Sequence, residues 1–361
     1  MFTNSFNRFF PAPSFLVTPS FGLDISDESL KFIKLASNKT GIYVAQHGER
    51  KIPPGVIEAG KIKDPQKMEE ILSLLRKEEG VKSVRVSLPE DQTYLFRLHL
   101  EKSGIKSIRE SIELSLEEYI PVPAEEAVFD YRLLNEDKQS LQLQIAAISK
   151  NVIENYLTVF KNASILVHSV EIEAQAIARA VIKKGDLDTH MIVDFGEKRT
   201  GIFIISHGIA MFTSTLDFGG ITLNNVIKKN LNVSYEEADG IKKKFGLQRN
   251  NPKNKEIFSI ILNNVSILRD EVAKHFLYWH THNDEEGKKN PPIQKIILCG
   301  GDSNLIGLAD YLSVSLKTKV EKANVWINIK DTDKYIPEIS FKRALSLAAA
   351  LGLALGDFEH D

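Results

Sequence analysis

FGLDISDESLKFIKL, from Phe21 to Leu35, and MIVDFGEKRTGIFII, from Met191 to Ile205, decide the fold. In each, an apolar strand ends on an Asp, a tight turn of small or polar residues follows, and a second apolar strand runs back. Asp24 and Asp194 fall at corresponding points of the two hairpins, which predicts two similar lobes facing one cleft. Either hairpin alone is also an ordinary strand pair with an acidic turn; the recurrence carries the reading. A carboxylate cannot hold a phosphate by direct contact, because like charges about 4 Å apart repel by about 4 kcal/mol at an effective dielectric of about 20. Two carboxylates flanking a phosphate therefore imply a bridging hard cation, most simply hydrated Mg²⁺.

The turns supply what carboxylates cannot. Successive backbone N–H groups that converge on one point bind anionic oxygens, and residues without bulk let a phosphate approach the main chain. Gly196 and Thr200 suit that task in the second hairpin, the Thr hydroxyl adding a donor, and Ser26 opens the corresponding turn of the first. Asp27 and Glu28 follow Ser26 and are expected to crowd the phosphates with negative charge. A third segment, KIILCGGDSNLIGLADYL at Lys295 to Leu312, reads as a strand, the pair Gly300 and Gly301, and an amphipathic helix whose first turn holds Asp302 and Ser303. A glycine pair between strand and helix admits a flat or anionic group to the main chain. The segment has neither the Lys of GxxxxGK[ST] nor the spacing of GxGxxG, so its meaning depends on the two hairpins.

At 361 residues, with 43% hydrophobic and 26% charged side chains, the chain can bury two cores and has the composition of an ordinary soluble protein. A net charge of −2 argues against nucleic acid as the main partner. The single cysteine, Cys299, excludes an intrachain disulfide framework and suits a reducing cytoplasm. Beside the glycine pair it reads as a small buried hydrophobe. The longest apolar run, Ala344 to Leu355, is shorter than the roughly 20 residues that span a bilayer, so membrane contact is expected through a partner. The amino-terminal stretch before Phe21 carries five Phe, three Pro and one charged residue, Arg8, without the apolar core and cleavage site of a signal peptide. It reads as a tail or as a docking element. His275, His280, His282 and Asp284 gather in sequence around Trp279. With no Cys among them, and spread from a helix into a loop, they are not expected to bind zinc.

Together and in this order, the three segments resemble the phosphate-1, phosphate-2 and adenosine motifs of the superfamily of actin, sugar kinases and heat-shock chaperone ATPases. VEIEAQAIARAV at Val170 to Val181 and SFKRALSLAAALGLALG at Ser340 to Gly356 stand where that superfamily has its first and second connecting helices. The resemblance covers nearly the whole chain from Phe21. It implies an α/β, two-lobed actin-like (ribonuclease H-like) fold closing on ATP and Mg²⁺. By the same resemblance, Asp24 and Asp194 would hold the hydrated metal, and Ser26, Gly196 and Thr200 would line the phosphates. Gly300, Gly301 and Asp302 would lie by the adenosine. Glu173 stands where these ATPases orient the attacking water, a task open to an acid. YEEADGIKKKFG at Tyr235 to Gly246 is similar to the A-E-x-x-K helix that touches ribose and adenine, with Asp239 as the acid, one methylene shorter, and Lys242 as the base.

The intervening sequence selects a branch. IELSLEEYIPVPAEEAVFDYRLL at Ile112 to Leu134 is similar to the E-x-Y-I-P-x-P-x-E-E-x-x-x-D-Y stretch of the PilM family of type IV pilus assembly proteins, in the insertion that this family shares with FtsA. The resemblance implies a cytoplasmic scaffold held at the inner face of the cytoplasmic membrane by its partner. That partner would be a PilN-like inner-membrane protein, its short cytoplasmic N-terminal peptide bound between the first-lobe core and the insertion. Nucleotide would act as a conformational ligand, with slow or no hydrolysis. An FtsA-like filament former, needing self-association, and a metabolic kinase are the alternatives; the ending LGLALGDFEHD has no basic amphipathic face of the kind that anchors FtsA. The expected organisation is a tail over 1–20, a first lobe over 21–187 with the insertion at about 93–161, and a second lobe over 188–361. The second lobe would hold a helical part at about 234–290 and the last connecting helix at 340–356.

Overall fold

Each of the two hairpins seeds a five-stranded sheet. The computed structural model describes residues 19–38, 41–103, 107–248, 255–283, 287–329 and 337–358, so most of the tail and Asp284 lie outside the described residues. In the first sheet β1 (Phe21–Ile25) pairs antiparallel with β2 (Ser29–Asn38), and β2 with β3 (Gly41–Lys51). A two-residue ribbon, β4 (Ile57–Glu58) and β5 (Lys61–Ile62), leads to helix α1 (Pro65–Glu79). Asp64 caps that helix by accepting from Lys67 N–H, Pro65 supplies a preset first φ, and Gly80 ends it at φ 70°. β6 (Ser83–Leu88) then returns parallel to β1.

The insertion is a sheet of its own. β7 (Thr93–Glu101) is followed by α2 (Ile108–Tyr119), β8 (Ala127–Glu136) and β9 (Ser140–Ser149), with β9 in the centre. Leu98, Ile112, Leu116, Ile120, Phe129, Leu143 and Ile145 form its separate core. The EYIP stretch does structural work: Tyr119 stacks on Phe96 with ring centroids 4.4 Å apart, and Ile120 is buried where α2 stops. α3 (Lys150–Asn162) leads back to β10 (Leu166–Ile172), which pairs parallel with β6.

The first connecting helix, read from Val170, instead begins at Glu173 as α4 (Glu173–Val181). Val170 and Ile172 extend β10, opposite Val86 and Leu88, because the parallel ladder with β6 continues that far. The second sheet holds β11 (Thr189–Phe195), β12 (Thr200–Ser206) and β13 (Ile209–Leu216). Helices α5 (Gly220–Leu231), α6 (Tyr235–Phe245) and α7 (Lys255–Thr281) precede β14 (Ile293–Cys299), parallel to β11. The helix expected directly after Gly301 starts later: a short 3-10 turn, Gly301–Asn304, comes first, and α8 (Leu308–Leu316) starts after Gly307 (φ 79°) and precedes β15 (Val320–Lys322). The sheet orders β3-β2-β1-β6-β10 and β13-β12-β11-β14-β15 match strand for strand and in direction. The duplicated hairpins are thus the visible part of a duplicated sheet.

Between the sheets α4 packs on the final pair α9 (Phe341–Ala344) and α10 (Ala348–Leu355). Every residue of α10 is buried, as an all-apolar helix requires. The crossing is too close for side chains. A Cβ on Gly352 would stand 1.7 Å from the Ala176 carbonyl oxygen, and one on Gly22 of β1 would stand 2.0 Å from that of Ala350. Gly352→Ala is therefore expected to lower stability by about 1–3 kcal/mol, measured by urea denaturation. Gly240→Ala in α6, where a Cβ meets nothing within 4 Å, is expected to be neutral or to stabilise by up to about 1 kcal/mol. Equal effects at both positions would contradict the close crossing.

Candidate functional site

Because both hairpins turn at the same edge, the carboxyl ends of β1 and β11 place Asp24 and Asp194 on the walls of one cavity of about 550 Å³. Asp24 is 7% exposed; Ser87 Oγ donates to its Oδ1 at 3.2 Å, and the Lys31 ammonium stands 4.0 Å from Oδ2. Burial raises the Asp24 carboxyl above its ordinary range despite Lys31 and Ser87. Burial lifts Asp194 to about 6, with Asp24 adding to the shift, while Lys31 and the Cys299 thiol oppose it. Cys299 pairs with Asp194 across β14 and β11 and is fully buried, which pushes its thiol well up.

Two further acids close in. Glu173, the first residue of α4, is raised well above the usual carboxylate range by burial, then by Asp24, Asp194 and Glu90, with Lys31 opposing. Glu90 comes from the turn after β6 and is raised to about 7 by burial. Both of its carboxylate oxygens are buried without a hydrogen-bond partner, Thr213 and the Ala174 N–H standing beside them outside bonding geometry. Burial lowers the Lys31 pKa, but Asp24, Glu49, Asp194 and Glu173 outweigh it and keep the ammonium charged. Carboxylate oxygens crowded so closely suit a hard cation, which would take the place of the protons they now favour. Gly300 leaves the room: a Cβ there would stand 2.5 Å from Asp194 Oδ1 and 2.4 Å from the Phe195 carbonyl oxygen.

Along the turns the structure revises several assignments. Gly196 lines the cavity, yet its N–H closes the turn on the Arg199 carbonyl at 2.9 Å. Ser26 also lines it, while its hydroxyl accepts from Ser29 N–H at 3.1 Å. Thr200 does not point there: it is fully buried, and its hydroxyl donates to the Phe218 carbonyl at 2.6 Å. As a strand residue flanking the turn, it takes the inward side of the β12 alternation.

Asp27 lines the cavity with its carboxylate already engaged. It accepts from Ala59 and Gly60 N–H, each at 3.0 Å, and from Lys198 at 2.9 Å and Arg199 at 3.0 Å. Burial would raise its pKa, but those bonds and charges outweigh burial and hold the carboxyl below its usual range. Arg199 also pairs with Asp91, and Lys198 stands 3.4 Å from Glu28. The hairpin tips are therefore clasped across the cleft mouth by ion pairs. Glu28 still faces the cavity and is raised by burial.

At the other end of the cavity Lys242, 4% exposed, donates to Asp302 at 2.6 Å and to the Gly220 carbonyl at 3.3 Å. Asp239 stands 3.4 Å from Lys242 and accepts from Asn224 and Lys243. A Cβ on Gly220 would overlap the Asp302 carboxylate at 2.1 Å, and Gly301 lies open to the same space. Asp239, Lys242, Gly300, Gly301 and Asp302 are thus brought together. The histidines in and just after α7 are not: His275 pairs with Glu271, the His280 ring lies tilted against Phe276, and His282 stacks on Tyr278.

Sequence reasoning missed Lys31, Ser87, Glu90, Lys198, Arg199 and Gly220. Lys31 had a signal, since a lysine in an apolar strand directly opposite Asp24 must share its surroundings. The others meet the site through tertiary contacts without a local pattern.

Paired sheets of one topology, two buried helices between them and an acid-walled cleft define an actin-like protein. The family model "Type IV pilus assembly protein PilM" matches residues 22–358, and the chain belongs to that family. A solved PilM-PilN type IV pilus biogenesis complex is similar at TM-score 0.77 and 21% identity, over 95% of this chain and 99% of that chain. MreB5 of Spiroplasma citri bound to ADP is similar at TM-score 0.56 and 14% identity, over 95% and 99%. The ethanolamine utilization protein EutJ from Carboxydothermus hydrogenoformans is similar at TM-score 0.55 and 18% identity, over 96% and 91%.

Glu90 gives the site a pH signature. Its carboxyl titrates near 7 in the fold against 4.5 for an ordinary Glu, so the native state holds the extra proton between these values. Stability from this group accordingly falls as pH rises from about 4.5 to about 7. Glu90→Gln is expected to match the parent near pH 4.5 and exceed it by on the order of 1–3 kcal/mol at pH 8. Denaturant midpoints across that range check this; a constant difference would be the contrary result.

Proposed function

We propose that this protein is an ATP-binding scaffold of the type IV pilus assembly machine, in which nucleotide biases the arrangement of the lobes. The PilM family match over residues 22–358 carries the reading. The cleft supports its nucleotide half. Its volume of about 550 Å³ suits a nucleotide, with Lys31 among the acids at one end and the Lys242–Asp302 pair at the other.

When bound, Mg²⁺ would shield the phosphates from the acid walls. Asp24 and Asp194 would hold it through its water shell. Ser26 and Gly196 would let the phosphates approach the turns, Lys31 would offset their charge, and Gly300, Gly301 and Asp302 would flank the adenosine with Asp239 and Lys242. Glu173 faces the reacting end. As a carboxyl that burial and neighbouring acids favour protonated, it is a poor proton acceptor. Slow turnover is expected from that protonation, together with the negative charge that Asp27 and Glu28 bring to the same cavity.

The similar solved complex joins PilM to PilN. By analogy the partner here is a PilN-like inner-membrane protein, its short cytoplasmic N-terminal peptide lying between the first-lobe core and the insertion. β8 is an edge strand of the insertion with Val128, Tyr131 and Leu133 exposed, and α3 alongside exposes Leu157. Unpaired backbone next to apolar anchors suits an extended peptide. No helix among the described residues is long and apolar enough to cross a membrane. The scaffold would sit at the cytoplasmic face of the inner membrane through that partner.

Calorimetry is expected to show ATP binding that weakens at least roughly tenfold when Mg²⁺ is chelated or Asp194 becomes Ala. Turnover should stay below about 1 per second and fall further in Glu173→Ala. ATP affinity indifferent to both metal and Asp194 would sink the nucleotide reading. A soluble N-terminal PilN-like peptide should bind without its transmembrane helix, and Tyr131→Ala or Leu157→Ala should each cost about 1 kcal/mol or more. Full-strength peptide binding in the double variant, with ATP binding retained, would place the partner elsewhere.

A further inference from the structure

We infer that the β12–β13 turn is a joint through which the nucleotide cleft sets the orientation of the insertion. This rests on the reading of the cleft as a nucleotide site. Two glutamines from different elements hold the turn. Gln175, two residues after Glu173 in α4, donates to the Gly208 carbonyl at 2.9 Å and accepts from Ala210 N–H at 3.1 Å. Gln144, in the central strand of the insertion, donates to the Ala210 carbonyl. Ala210 is fully buried and Gln144 is 7% exposed, so breaking this bond would leave an unpaired carbonyl and an unpaired carboxamide in a dry contact.

The turn is stiff. His207 (φ 54°) and Gly208 (φ 74°) are both left-handed, the two-residue connection whose twist matches its strands. It moves with the second sheet as a unit. A lobe rotation that keeps the Gln175 bonds must carry Gln144 and β9 along, and one that breaks them must bare buried polar groups. Beside this contact the insertion and the second lobe stand apart around a cavity of about 220 Å³, lined by Arg97, Leu98 and Gln142 on one side and Ile209, Met211 and Trp279 on the other. β7 also packs along β13, so the insertion meets the second lobe over this strand and the turn, with the cavity beside them. α4 begins in the cavity wall at Glu173, two residues before Gln175, so a ligand that fills the cleft bears on the helix that holds one side of the joint.

Hydrogen exchange read by mass spectrometry on the full chain, with and without Mg-ATP, tests the joint alongside calorimetry of ATP binding. In the parent protein Mg-ATP is expected to change exchange in β7, β8 and β9 by roughly threefold or more. Gln144→Leu and, separately, Gln175→Leu are expected to abolish that change while ATP affinity stays within about threefold of the parent. Two variants from different elements guard against one that does not fold, and the ATP-dependent difference is a quantity that a merely structural bond would not move. ATP binding with no change in the insertion, or a change that persists in a folded variant, overturns the joint alone. No ATP binding in the parent overturns the cleft reading and the joint with it.

Discussion

The crowding of carboxylates where two sheets meet is the constraint on which the rest depends. Asp24 and Asp194 reach the same cavity because each ends an equivalent strand, and Glu173 and Glu90 join them from a helix start and a turn. Burying acids together is unfavourable, which is why their protonation shifts upward and why the Lys31 ammonium stays charged among them. Such a cleft is a strained arrangement that gains from a cation. Its chemistry is therefore coupled to how closely the lobes approach.

Two features hold that approach. The buried crossing of α4 and α10 is made of alanines, leucines and a glycine, so backbone meets backbone and small displacements are resisted by hard contact. At the mouth the contact is ionic instead, with Asp27 taking two backbone N–H groups from its own lobe and two cations from the other. The first is insensitive to solvent ions; the second lies nearer water and is open to competition from a bound anion. A lobe pair with a stiff pivot and an ionic mouth is well suited to respond to a charged ligand.

Much of the fold was legible in the sequence because it is written in local pattern. The period-two runs of both hairpins, the Asp64–Pro65 start of α1 and the all-apolar run that became α10 each follow from rules spanning a few residues. The boundary of α4 was not, since Val170 to Ile172 can serve a helix or a strand and the ladder with β6 decides. Of the site, Asp24, Asp194, Gly300, Gly301 and the Asp239–Lys242 helix lie in the cavity wall that their motifs suggested. Thr200 has the right chemistry and the wrong direction.

The sequence by itself determined which strands turn on an acid, where glycine admits close approach, and that the chain carries two copies of one hairpin, because backbone propensity and side-chain alternation are local properties. Only the tertiary structure decided that Asp27 clasps Lys198 and Arg199, that Glu90 and Lys31 belong to the acid cluster, and that Gln144 meets a turn 66 residues away. Those outcomes depend on which surfaces burial brings within a few ångströms, and charge and hydrogen bonding act on that distance rather than on separation along the chain.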